Sequence, residues 1–178
     1  MSRVEEYIEV LITEDEVQSK VSQMAQQISC DLKNKELLVV GILKGAAIFT
    51  ADLVRKINIP VTLDFMAVSS YGSATRSSGA VQIIKDIEVS IHGRHILVVE
   101  DIVDTGLTLK YLLETLRMRG PASIRTCAFL DKPGARKTEV PIDYKGFEIP
   151  DEFVVGYGLD YDQKYRNLPY IGVLRFIG

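Results

Sequence analysis

Twelve consecutive residues, Val98-Val99-Glu100-Asp101-Ile102-Val103-Asp104-Thr105-Gly106-Leu107-Thr108-Leu109, hold the densest chemistry in the chain. An apolar run leads straight into two adjacent carboxylates, then an Asp-Thr-Gly turn, then a helical pattern. In open parallel sheets ligands bind just beyond the carboxyl ends of strands, so Glu100 and Asp101 are expected at the mouth of such a crevice. Acids there can accept hydrogen bonds from sugar hydroxyls. Thr105, Gly106 and Thr108 bring hydroxyls and unhindered N–H groups to the start of the helix, where unpaired donors and the helix dipole favour a phosphate group. The plainer alternative is a capped helix, in which Asp104 or Thr105 closes the N-terminus, the acid pair is solvated and Gly106 only relaxes the turn. A cap accounts for one of these residues and leaves the run of acids without a role.

The elements that must carry this turn follow from hydrophobic period. Over residues 14–32, Val17, Val21, Met24 and Ile28 share one helical face, while Leu37 to Leu43 is a continuous apolar run of the kind found in buried parallel strands. A second helical pattern runs to Ile57, followed by a strand from Val61 to Val68, a polar loop from Ser69 to Gly79 and a strand-like run from Val81 to Ile87. The strand Ile96 to Val99 precedes a helix carrying Leu109, Leu112, Leu113 and Leu116, which Gly120-Pro121 stops. A further strand spans Ile124 to Leu130, and shorter extended segments lie at Phe153–Val155 and Ile171–Phe176. Strands alternating with helices predict an α/β domain with a mainly parallel sheet.

Size and charge narrow the options. A chain of 178 residues, 47% hydrophobic, is long enough for one substantial core and too short for two comfortable domains. The net charge of −3 gives no electrostatic reason to expect nucleic acid as a partner. The two cysteines, Cys30 in a helix and Cys127 in a strand, sit in no metal-ligand or redox spacing and are expected to be reduced core residues. The charged start, Met1 to Glu6, and the lack of any apolar stretch near the ~20 residues needed to cross a bilayer make the cytoplasm the default location and a membrane no partner.

The segment from Val98 to Thr108 closely resembles the phosphoribosyl pyrophosphate binding motif of the type I phosphoribosyltransferases: hydrophobic residues, two acids, two hydrophobics, Asp-Thr-Gly and a later Thr. The resemblance implies ribose and phosphate binding by Glu100, Asp101, Asp104, Thr105, Gly106, Leu107 and Thr108. It also implies the family's single domain over 1–178, a parallel-sheet core of about 14–140 with flanking helices, and a small hood built from the N-terminal segment and about 141–178.

Four further segments are similar to the hypoxanthine-guanine branch of that family. Leu43-Lys44-Gly45 matches a turn that binds pyrophosphate through backbone N–H groups, commonly with a non-proline cis peptide between the residues at Lys44 and Gly45. Ser70 and Tyr71 match the Ser-Tyr pair of a loop that closes during catalysis. Lys132 matches a lysine that donates to the exocyclic oxygen of hypoxanthine or guanine, where adenine instead presents an amino group. The stretch Gly146 to Tyr161 resembles the purine-binding hood, with Phe153 stacking on the base, Val154 offering backbone contacts and Asp160 near the base and a magnesium ion. Arg166 matches an arginine that meets pyrophosphate.

The resemblance therefore implies transfer of a phosphoribosyl group to a 6-oxopurine, giving IMP or GMP, with Mg2+ held by Glu100, Asp101 and Asp160 and with Asp104 as general base. It further implies a homodimer or homotetramer. Two alternatives stay open here: a nucleotide-sensing regulatory protein on the same fold, and xanthine-guanine specificity.

Overall fold

The computed structural model describes residues 5–71 and 80–177. Its element order is β1 (Glu5–Ile12), α1 (Glu14–Asp31), β2 (Leu37–Leu43), α2 (Ala47–Val54), β3 (Val61–Tyr71), β4 (Ala80–Lys85), β5 (His95–Val103), α3 (Leu107–Arg117), β6 (Ser123–Asp131), β7 (Tyr144–Glu148), β8 (Val154–Val155) and β9 (Ile171–Ile177). Strands β4-β3-β2-β5-β6-β7 form one sheet in that order, and β1-β9-β8 form a second, smaller one. All pairings in the larger sheet are parallel except β3 with β4.

The central strand β2 shows why the sheet is covered twice. Leu37 and Val39 point into a core made with Val17, Val21, Met24 and Ile28 of α1 and Phe49 and Leu53 of α2. Leu38, Val40 and Ile42 point to the other face, against Leu109, Leu112, Leu113 and Leu116 of α3. Successive side chains of a strand alternate between faces, so a strand apolar at every position is a strand buried on both. The start of α1 is fixed by a reciprocal cap: the Thr13 N–H donates to Glu16 Oε2 at 2.8 Å and the Glu16 N–H to Thr13 Oγ1 at 3.3 Å.

Several expectations shift. The second helix ends at Val54 rather than Ile57, ahead of Asn58-Ile59-Pro60, where proline cannot continue it. Ser69, Ser70 and Tyr71 belong to β3, because the ladder with β4 continues to Tyr71 opposite Ala80; residues 72–79 of the expected loop lie outside the described residues, as do the side chains of Ser70 and Tyr71. Two strands, β1 and β7, carry no expectation in the sequence reading. In β1 only Ile12 is buried, so no alternation of apolar and polar residues marks it, and backbone pairing with β9 makes it a strand. Cys127 is buried, but Cys30 is exposed, on the solvent side of α1. Among the described residues, no helix is long and apolar enough to cross a membrane.

Candidate active site

Strand β5 carries the acid pair inside its last turns rather than beyond its end. Pairing with β6 persists through Glu100 opposite Ala128, Ile102 opposite Leu130 and Val103 opposite Asp131, so Glu100 stands on the ladder and Asp101 lies between paired positions. Glu100 is 8% exposed, Asp101 half-buried, and Asp104 exposed. Burial holds the Glu100 carboxyl well above the usual carboxylate range, and the charges of Asp101 and Asp104 push it the same way. Burial likewise pushes Asp101 up to about 6, against the pull of the Ile102 N–H and the Arg166 guanidinium.

The turn after β5 lacks the side-chain cap that the plainer reading expects. Gly106, at φ 82°, is the residue preceding α3, and no side chain caps that helix. Asp104 Oδ1 accepts instead from the N–H of its neighbour Thr105 at 2.7 Å, and Thr105 Oγ1 reaches only the Leu107 N–H, at 3.4 Å. The first-turn donors of α3 thus lack a strong internal acceptor, the condition under which a helix N-terminus takes up an anion. Glu100, Asp104, Gly106 and Thr108 line one small cavity. From outside, the strap after β6 braces the turn: the Lys137 and Thr138 N–H groups donate to Thr105 O at 2.9 and 3.1 Å, and Arg136 Nε donates to Asp104 O at 3.0 Å.

A second cluster forms where the loop after β2 meets the segment after β8. Here the cis peptide lies between Leu43 and Lys44, one bond earlier than the resemblance implied. The Gly45 backbone lies so close to Asp101 that a Cβ on it would come within 1.8 Å of Asp101 Oδ2. Gly158, at φ 99°, packs on the other side, where a Cβ would meet Gly45 O at 2.1 Å. Only glycine allows two backbone segments and a carboxylate to converge so tightly. Arg166 donates to Gly158 O at 2.7 Å, pairs with Asp160 at 3.2 Å and reaches Gln163 Oε1 at 3.2 Å, while Lys44 Nζ lies 3.4 Å from the same Gln163 oxygen. Two cations, Lys44 and Arg166, bring to this cluster the positive charge that suits a polyanion. Gln163 has no expected role, and Gly158, expected only as part of the stretch Gly146 to Tyr161, has left-handed backbone of the kind the Gly156-Tyr157-Gly158 spacing signals.

Lys132 and Phe153 stand on the third side. Lys132 follows β6, its side chain largely buried, with Nζ 3.7 Å from Asp151 Oδ1. The neighbour Asp131 does not hold it: Asp131 pairs with Arg136 and, at 2.7 Å, with Lys145. Phe153, two residues after Asp151, is 53% exposed and rests edge-on against Tyr161 at 5.8 Å between centroids, with a free ring surface. Val154 is buried and pairs with Val173 of β9. A larger groove, lined by Gln26, Ser29, Cys30, Lys33, Asn58 and Pro60, lies at the opposite end of the sheet, before β2 and β3 begin, and shares none of these groups.

The acid pair offers the hard oxygen donors that a divalent cation demands, from successive positions of β5 whose side chains point to alternate faces. Among the described residues no three His, Cys, Asp or Glu side chains converge, so Asp160, held by Arg166 and by the Gln163 N–H at 2.8 Å, does not join Glu100 and Asp101 in one protein cage. Such a donor set fits an ion that keeps water and shares ligand oxygens, as magnesium does.

Comparison with known proteins agrees with this geometry. The family model for the phosphoribosyl transferase domain matches residues 13–162. The hypoxanthine-guanine phosphoribosyltransferase of Bacillus subtilis is 52% identical over 166 residues, covering 93% of this chain and 92% of that protein. The hypoxanthine phosphoribosyltransferase of Haemophilus influenzae is 48% identical over 169 residues, with 93% and 94% covered. In structure, the hypoxanthine phosphoribosyltransferase of Staphylococcus aureus superposes with a TM-score of 0.90 at 49% identity, covering 94% of this chain and 91% of that one. With its acids on β5, its uncapped α3 and a match over most of its length, the chain belongs to the phosphoribosyltransferase family.

Proposed function

We propose that the chain transfers the 5-phosphoribosyl group of phosphoribosyl pyrophosphate to N9 of hypoxanthine or guanine, giving IMP or GMP and pyrophosphate in cytoplasmic purine salvage. One observation carries the reading: a buried Glu100 and a half-buried Asp101 lead directly into an exposed Asp104 and a helix N-terminus that, among the described residues, no side chain caps. Glu100 and Asp101 accept from the ribose hydroxyls, and the N–H and hydroxyl groups of Thr105, Gly106, Leu107 and Thr108 hold the 5-phosphate. Lys44, Gly45 and Arg166 receive the pyrophosphate. Phe153 stacks on the purine, Val154 meets its edge through the backbone, and Lys132 donates to the 6-oxygen. Adenine places an amino group at that point, leaving donor against donor, and is rejected because a buried polar group is then unpaired.

Loss of pyrophosphate from the anomeric carbon builds positive charge shared with the ring oxygen, as in glycoside hydrolysis. Asp104, exposed and facing the cavity beside Gly106 and Thr108, takes the N7 proton of the base while N9 attacks. When bound, magnesium would supply charge to neutralise the leaving pyrophosphate, and Glu100 and Asp101, and separately Asp160, are the residues that would hold it. The segment with Ser70 and Tyr71 closes over the sugar and excludes water. The six-stranded sheet with its helices acts as the core and the β1-β9-β8 sheet as the hood, and two or four copies assemble.

The test is incubation with phosphoribosyl pyrophosphate and magnesium against hypoxanthine, guanine, xanthine and adenine, following nucleotide formation. Hypoxanthine and guanine are expected to react and adenine to fail; efficient AMP formation would overturn the reading. Asp104→Asn is expected to bind substrates yet lose a factor of roughly 10²–10⁴ in turnover, and parental turnover in that variant would remove Asp104 as the base.

A further inference from the structure

Tyr157 sits between Gly156 and Gly158, and all three residues have positive φ, at 98°, 48° and 99°. A tyrosine in left-handed backbone is uncommon and persists where its surroundings hold it. Those surroundings are specific. The ring is 3% exposed and packs 5.1 Å from Phe129 and 6.4 Å from Phe49, centroid to centroid. Its hydroxyl donates to Asp52 Oδ2 at 2.5 Å. Asp52, with 16% of its side chain exposed, also pairs with Arg55 one turn on.

The two partners belong to opposite sides of the anion cluster. Asp52 lies on α2, which grows directly out of the Lys44–Ala46 loop: the Ala47 N–H donates to Lys44 O at 3.1 Å and the Thr50 N–H to Ala46 O at 2.8 Å. Tyr157 lies next to Gly158, whose carbonyl receives Arg166 and whose Cα abuts Gly45 O. The Tyr157 N–H donates to Leu168 O at 2.8 Å and the Gly158 N–H to Arg166 O at 2.9 Å, so the segment carrying Arg166 moves with Tyr157. A bond between α2 and Tyr157 thus sets the spacing between Lys44-Gly45 on one wall and Arg166-Asp160 on the other. Packing of the Phe49 ring of α2 against Tyr157, van der Waals contact at Gly45–Gly158 and the long Lys44–Gln163 bond also join those walls, and the Tyr157–Asp52 bond is the short, directional link among them.

We propose that the Tyr157–Asp52 hydrogen bond is a positioning device for the pyrophosphate site, holding the Gly45 loop and Arg166 at the separation a bridging diphosphate needs. It deepens the function proposed above and rests on that reading. Burial and the Asp52 carboxylate both push the Tyr157 hydroxyl up, which keeps it a protonated donor throughout the working pH range. Lys132, after β6, pairs with Asp151, and Phe153, before β8, rests on Tyr161, so the purine contacts are expected to be insensitive to the bond.

The test uses the full chain with Tyr157→Phe, which keeps the ring in its aromatic nest and removes only the donor. The KM for phosphoribosyl pyrophosphate is expected to rise about tenfold, the scale of one lost hydrogen bond to a charged group, while the KM for hypoxanthine stays near the parental value. Asp52→Ala is expected to reproduce this selective change, and Asp52→Asn, which retains an oxygen acceptor, to restore most of the parental KM. A bond that serves folding alone would lower the thermal midpoint and leave the ratio of the two KM values untouched; an unchanged ratio in both Tyr157→Phe and Asp52→Ala overturns the proposal. A parent chain that makes no nucleotide sinks the function proposed above, an outcome distinct from an active parent whose KM ratio ignores the bond.

Discussion

A buried Glu100 with, among the described residues, no cation partner, next to a half-buried Asp101, is expensive, and the cost is visible in the proton affinity of the pair. Asp101 titrates in the unfolded chain near ~3.9 and in the folded chain at about 6. Between those values the folded state holds a proton that the unfolded state has released, so stability from this group is highest at low pH and falls as pH rises through the window. The expected outcome is that Asp101→Asn is more resistant to urea than the parent at pH 7 without divalent ions, with the gap narrowing at pH 5; a gap of constant size would refute the assignment. The same protonation would remove the charged acceptor proposed for the sugar, so kcat/KM for phosphoribosyl pyrophosphate is expected to decline below about pH 6. Nothing in residue type foretold this shift. Glu-Asp after an apolar run is legible in the sequence, but whether the ladder continues through the acids, and so buries them, depends on β6 lying alongside.

Elements place these groups by ending at the right points. Strands β2, β5 and β6 deliver Lys44, Asp101 and Lys132 from neighbouring positions in one parallel sheet, so the three functional segments share one edge because their strands share one direction. The loop after β2 has no slack. Gly45→Ala is expected to drive a methyl group into the Asp101 carboxylate, displacing either the acid or the anion loop. A misplacement of about 1 Å costs on the order of a hundredfold in rate, read as kcat in a nucleotide-formation assay, and a variant as active as the parent would show that the loop yields elsewhere. The expected helix to Ile57 and the observed end at Val54 differ because apolar period alone carries no stop signal; Pro60 does, and its influence reaches back through the preceding residues.

At the scale of the molecule, the two ends of the chain meet. Strand β1 pairs antiparallel with β9 over Glu5 to Ile12, Tyr165 hydrogen-bonds to Glu6, and Arg175 reaches Glu9 at 3.2 Å and Glu152 at 3.1 Å. Phe153 and Val154 hang from this small sheet, with the Leu174 N–H bonded to Phe153 O at 3.0 Å. Removing residues 1–12 is therefore expected to spare the helical circular dichroism of the six-stranded core while raising the KM for hypoxanthine strongly, since the stacking ring loses its support. Loss of the helical signal together with activity would mean that the smaller sheet is needed for the core to fold.

The amino-acid order by itself determined the alternation of strands and helices, the acid turn and its match to a phosphoribosyl site, because these are local patterns in which period, turn residues and motif lie within a few positions of one another. Only the tertiary structure decided that β1 is a strand, that Lys132 faces Asp151 rather than Asp131, that Cys30 is exposed, and that Gly45, Asp101 and Gly158 touch. Each of these joins residues far apart in the chain or depends on which side of an element meets solvent, and such relations are fixed by packing and backbone pairing between distant segments rather than by the residues on either side.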